Sequence, residues 1–237
     1  MSSRLQKRIA ESGLMSRRAA EEAIRSGRVL LNGRPAVLGE SCTDADELLV
    51  DSRPIPGPDS RRVYMLNKPR GYVCTLHDEK GRKSVRELLP ESAGRVYPVG
   101  RLDIMSEGLL LLTNDGELTF RLTHPSAQVL KTYRTKISSD DLETGIARMH
   151  RPFVLDGVTV CAKKIETLQR SADTAVLEIT VGEGRNRQIR RMCEEAGLSV
   201  LRLIRVAEGP LRLGSLPTGS FRPLTDEEID SLMKEST

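Results

Sequence analysis

The chain has 237 residues, 38% hydrophobic, 30% charged and 3% aromatic, with no Trp and a formal net charge of +4. That is the composition of a globular protein with an aliphatic core, long enough for one core or for a core with a small satellite domain, and its charge favours an anionic partner. No apolar run approaches the roughly 20 residues of a membrane helix, and the N-terminal MSSRLQKRIAES lacks the apolar stretch of a secretory signal, so no membrane partner and a cytoplasmic location are expected.

The N-terminal part reads as two short helices and a hairpin. Leu5 and Ile9 give residues 4–12 one apolar stripe, which Gly13 ends. Ser16 is placed to cap a second helix, RRAAEEAIRSG, that buries Ala19, Ala20, Ala23 and Ile24 and stops at Gly27. RVLLNGRPA carries an Asn32-Gly33 turn between two strand-like pieces, and DELLVDSRPI reads as a closing strand. Residues 1–34 hold eight bases against three acids, whereas the last twelve residues hold five acids and one lysine. The positive field therefore sits at the N-terminus, as a phosphate-binding surface requires. SRPIPGPDSRR follows as a Pro-rich, semi-rigid linker. The expected domains are residues 1–57, with the linker from about 52, and residues 58–237.

Beyond the linker, VYMLN, YVCTL, RVYPVG, GLLLLT, KTYRTKI, GVTVCAKKI, AVLEITVG and VLRLIRV read as strands. GELTFRLTH, SDDLETGIARM, RNRQIRRMCEEAG and TDEEIDSLMKE read as helices, the last opened by a Thr225–Glu228 capping box. Strands and helices without regular alternation predict an α+β fold with a mostly antiparallel mixed sheet.

Cofactor motifs are missing. There is no GxxxxGKS loop, HExxH, GxSxG or dinucleotide GxGxxG, and the four Cys and three His are scattered, so no metal and no cofactor are expected. One stretch stands out. GRLDIMSEGLLLLTNDG sets an acidic loop directly against the most apolar run in the chain. Gly108 and Asn114-Asp115-Gly116 have structural reasons, as a strand start and a helix cap. Asp103 has none, beyond a loop ion pair with Arg101.

Two resemblances give these residues roles. LQKRIAESGLMSRRAAEEAIRSGRVLLNG, within residues 3–53, resembles the S4 RNA-binding domain. It implies RNA contact by Arg4, Lys7, Arg17, Arg18, Arg25 and Arg28, each with a surface ion pair as the competing reading. NKPRGYVCT, VYPVGRLDIMSEGLLLLTNDGEL, RLTHP, KTYR and GEGRNRQIRRMCEEAG, in this order, resemble the S4-containing rRNA pseudouridine synthases of the RsuA/RluB type, in particular the large-subunit branch. That resemblance implies a cofactor-free isomerisation of a flipped uridine in 23S rRNA, with 16S rRNA as the alternative substrate. No obvious self-association stripe is present in the sequence, and a monomer is expected. It places the essential aspartate at Asp103, the stacking aromatic at Tyr133 and the base paired with the aspartate at Arg190. Arg101 and Leu102 belong to the implied pocket, which Leu203 or Ile204 closes. Arg185, Arg187 and Arg191 read as phosphate contacts or ion pairs with neighbouring acids, and Lys68 as a phosphate contact or a structural base. Glu208, in RVAEGP, departs from the apolar or small residue expected there.

Two other classes compete. A non-catalytic ribosome-assembly factor built on the S4 module would not need Asp103. A glycosyl hydrolase would need a second carboxylate, for which Glu107 is the only nearby acid.

Overall fold

The computed structural model describes residues 2–76 and 78–235. The chain forms two compact units, Met1–Arg62 with Ser92–Arg95, and Val63–Glu91 with Val96–Thr237.

In the first unit, β1 (Ser3–Arg4) precedes α1 (Leu5–Glu11) and α2 (Arg17–Arg25), followed by β2 (Val29–Leu31), β3 (Arg34–Pro35), β4 (Ser41–Cys42), β5 (Leu48–Val50) and β6 (Arg53–Pro54). Ser16 caps α2, its side chain accepting from Ala19 N at 3.0 Å. Leu5, Ile9, Ala20, Ala23 and Ile24 join Val29, Leu31, Leu48 and Val50 in one core. Ala19 is exposed instead, because the inward stripe of a 3.6-residue helix runs through 20, 23 and 24. DELLVDSRPI is not one strand. Asp51 and Ser52 both adopt left-handed φ, 49° and 63°, and fold it into a hairpin of β5 with β6.

The second unit comprises β7 (Val63–Lys68), β8 (Tyr97–Val99), β9 (Glu107–Thr113), α3 (Gly116–Thr123), β10 (Lys131–Ser138), α4 (Leu142–Met149), β11 (Phe153–Leu155), β12 (Val158–Val160), β13 (Lys164–Arg170), β14 (Thr174–Val181), α5 (Gln188–Glu195), β15 (Ser199–Glu208), β16 (Leu211–Arg212), β17 (Phe221–Pro223) and α6 (Asp226–Glu235). Its main sheet runs β13-β14-β10-β15-β9-β7-β17, with β16 on β15 and β8 on β9. All these pairs are antiparallel except β9 with β15, which is parallel. The leucine run is a strand covered on both faces. Leu109 and Leu111 pack with Leu118 and Leu122 of α3 and Leu232 of α6, while Leu110 and Leu112, on the other face, are equally inaccessible. The Thr225–Glu228 capping box forms as expected, with reciprocal bonds of 3.0 and 3.3 Å.

Three elements differ from expectation. YVCTL makes no strand, only a single bridge from Val73 to Ser84, because Cys74 turns to bond the loop around Leu102. GVTVCAKKI divides between β12 and β13. α5 starts at Gln188 rather than Arg185, since Arg187 is left-handed at φ 49° and interrupts the helix. Among the described residues no helix is long and apolar enough to cross a membrane, and no cluster of His, Cys, Asp and Glu is arranged to hold a metal.

Candidate active site

Residues 101–106 form the loop that leads into β9, and its backbone is tied down almost residue by residue. Cys74 Sγ donates to Leu102 O and accepts from Leu102 N, both at 3.3 Å. Gly71 N donates to Ile104 O at 2.8 Å, and Arg190 Nη2 donates to Met105 O at 3.0 Å. Lys68, at the end of β7, is wholly inaccessible to solvent. Its Nζ donates to Pro69 O and Asp103 O at 3.1 Å and to Ser106 O at 2.8 Å. Burial pushes the Lys68 ammonium below the usual lysine range, against the attraction of Cys74, Asp103 and Glu107. Lys68 is therefore a clamp on the loop. It cannot contact a phosphate, because its three donors are spent on carbonyls inside the protein.

The clamped loop presents a half-buried Asp103 to a cavity of about 1010 Å³. Arg101, Leu102, Tyr133 and Leu203 also line this cavity. Ile204 does not. It follows Leu203 in β15, so it faces the other side of the sheet, where it lines a separate cavity of about 360 Å³ with Arg202 and Val206. Glu107, the second carboxylate considered above, also lines that other cavity and is held by Arg70 and Arg202, both at 2.7 Å.

Beside Tyr133, lining the same cavity, lies a group that sequence reasoning missed: Lys131, Arg205 and Glu208. Arg205, opposite Tyr133 in the β10–β15 register, is only 2% exposed. Its Nε donates to Leu109 O at 2.6 Å, and its Nη2 stands 3.3 Å from Glu208 Oε2. Lys131 approaches the same carboxylate at 3.8 Å. Burial works against the Arg205 charge, yet Glu208 and the Tyr133 hydroxyl raise its pKa overall. Burial likewise pushes the Tyr133 hydroxyl up, which keeps it neutral. The departure at Glu208 is thus the counter-ion of a buried arginine. A signal for Arg205 was present: strand alternation puts it on the inward side of β15, between Leu203 and Ala207.

Asp103 forms no ion pair among the described residues, with Arg101 or with Arg190. Arg190 is within electrostatic range of Asp103, but its hydrogen bond goes to the Met105 carbonyl, so its hold on the aspartate runs through the loop.

A profile of the RNA pseudouridylate synthases matches residues 62–195, and one of the S4 domain matches residues 3–47. The chain belongs to the RNA pseudouridylate synthase family. It is 40% identical over 232 residues to ribosomal large subunit pseudouridine synthase B of Bacillus subtilis (strain 168), covering 97% of this chain and 95% of that one. It is 37% identical to an uncharacterized RNA pseudouridine synthase of Aquifex aeolicus (strain VF5), covering 99% and 95%. A crystal structure of a pseudouridylate synthase superposes with a TM-score of 0.69 at 32% identity, over 97% of this chain and 99% of the other.

The remaining basic residues of this pseudouridine synthase fall into two groups. Arg17 and Arg18 are exposed in the first turn of α2 and pair with no acid among the described residues. Arg187 is exposed and lines the cavity. The others are engaged. Arg4 bonds Gly39 O, Lys7 meets Glu11 at 3.5 Å, and Arg25 meets Glu22 at 3.5 Å and Glu21 at 3.8 Å. Arg28 grips Asp51 with two bonds, and Arg185 bonds Glu183 at 3.0 Å. Arg191 grips Asp156, in the β11–β12 turn, at 2.7 and 3.0 Å rather than Glu194 or Glu195.

Proposed function

We propose that this protein converts a uridine of large-subunit (23S) rRNA to pseudouridine, acting as a cytoplasmic monomer with Asp103 as the reacting carboxylate. The observation that carries the reading is a half-buried carboxylate on a loop clamped by Lys68, Cys74, Gly71 and Arg190, facing the same cavity as Tyr133. Such clamping holds a reacting group in position without reorganisation during the reaction. The S4 domain and the large-subunit activity named for the Bacillus subtilis relative support the choice of RNA.

The target uridine leaves its stack at a cost of a few kcal/mol. Tyr133 stacks on the uracil. Asp103 acts at the sugar, adding to C1′ or taking a ribose proton to give a glycal. The N1–C1′ bond breaks, the ring turns, and C5 bonds to C1′ as the Asp103–C1′ bond breaks or, on the glycal route, as the ribose proton returns to the sugar. C5 gives up its proton and N1 gains one, so the atoms balance without a cofactor. Leu102 and Leu203 shield the sugar intermediate from water. Arg190 positions Asp103 through Met105, and Arg101, exposed at the cavity, meets the backbone of the flipped nucleotide.

The test uses purified protein with unmodified 23S and 16S rRNA transcripts, mapping pseudouridine by carbodiimide-dependent reverse-transcription stops. A new stop in 23S rRNA is expected, absent with Asp103→Asn, which still binds RNA. A stop in 16S rRNA alone would move the substrate to the small subunit. RNA binding with no stop in either transcript would overturn the reaction on free rRNA.

A further inference from the structure

We propose that Phe120 and His124 form a stacking platform for an unpaired base of the RNA beside the flipped uridine. This rests on the proposed function and adds a second contact at the same cavity. The chain has three Phe and four Tyr. Six of these are buried or half-buried, and Phe120 alone is exposed, at 61%. The α3 core contact is made by Leu118 and Leu122, and Phe120 stays outside that core on the outer face of the helix. A single exposed apolar side chain is ordinary on a protein surface, and Phe120 is set apart by what its ring touches.

The Phe120 ring lies against His124 one turn on, with centroids 4.8 Å apart and planes tilted by 41°. His124 is itself held in place. Its Nδ1 accepts from Ser126 N at 3.3 Å and sits 2.7 Å from Ser126 Oγ. An acceptor at Nδ1 puts the ring proton of the neutral imidazole on Nε2. His124, with Thr123 and Gln128, lines the cavity that holds Asp103 and Tyr133. His124 thus lines the cavity, and Phe120, which does not, lies against it on the open surface.

Charge and chemistry fit one occupant. Arg121, beside Phe120 in sequence, is neutralised by Glu117 at 2.9 Å, which leaves the platform apolar, while the cavity wall carries the exposed Arg101 and Arg187. Flipping a uridine uncovers a face of each neighbouring base. An aromatic ring beside the cavity covers such a face whatever the base, because every base has a π-face.

The absence of Trp from the chain provides a direct reporter. Phe120→Trp makes a single-tryptophan protein, to be titrated with 23S rRNA transcript while retention on filters records saturation. A saturable loss of tryptophan emission is expected. Leu168→Trp, placed on the exposed edge strand β13, is expected to keep its emission. Phe120→Ala is expected to raise KM by about 5- to 150-fold, by the same factor at two salt concentrations, since stacking releases no counterions. Unchanged emission at saturation, equal losses at both tryptophan positions, or a KM effect that shrinks with salt would each overturn the platform. Quenching in a chain that makes no pseudouridine would fault the reaction and leave the platform standing. Pseudouridine formed with unmoved emission would do the reverse.

Discussion

Arg205 and Lys68 are two cations that a residue-by-residue reading of charge sends to the surface, and both are buried. The reason is local in each case. Lys68 ends a strand beside three carbonyls of the loop it closes, and Arg205 sits between the Leu109 carbonyl and Glu208. Charges out of water persist only where such partners exist. Removing one partner strands the other. Arg205→Met is expected to cost about 3–5 kcal/mol in chemical denaturation, because Glu208 stays buried with only Lys131, 3.8 Å away, to balance it. A loss below about 1 kcal/mol would show that the pair is not structural. Asp103 was singled out from sequence because no cap or turn explained it, and the loop around it shows why: its backbone carbonyl serves the Lys68 clamp, while its carboxylate is left to the cavity.

At the scale of elements, the parallel pairing of β9 with β15 brings the loop before β9 and the inward face of β15 to one cavity. Gly108 allows that approach. Its φ is +102°, and a Cβ there would stand 2.2 Å from Arg205 O and 2.8 Å from Arg205 N. Gly108→Ala is therefore expected to destabilise the protein by several kcal/mol and to abolish turnover, whereas Gly184→Ala, which meets nothing within 4 Å, leaves stability near wild type. Paired denaturation midpoints check this, and equal midpoints would remove the close approach as a constraint. Caps and turns were legible in sequence because their signals are local: Ser16, Asn32-Gly33, Asp115 and the Thr225–Glu228 box all act within a few residues. YVCTL was not, because its fate is decided by the Leu102 backbone, 28 residues from Cys74.

At the scale of the whole molecule, the net charge of +4 hides an uneven distribution, and ion pairs neutralise many of the bases locally. Of the N-terminal bases expected to meet RNA, Arg17 and Arg18 remain exposed without an acid partner among the described residues, while Arg28 is held by Asp51. Binding is expected to weaken steeply with salt. Arg17→Ala with Arg18→Ala should flatten the plot of log affinity against log salt by about 0.7 to 0.9 for each phosphate lost. Filter binding over a salt series checks this, and an unchanged slope would remove these arginines from the RNA interface.

The sequence by itself determined the helix–helix–hairpin start, the α+β class, the buried leucine strand and, through ordered blocks of matching residues, the family. These rest on periodicity, local caps and residue order, which need no long-range contact. Only the tertiary structure decided which basic residues reach solvent, that Lys68 clamps the Asp103 loop, that Arg205 and Glu208 line the cavity beside Tyr133, and that Leu203 but not Ile204 faces that cavity. Each of these depends on which strand lies beside which and on the register between them, and chain order alone does not state either.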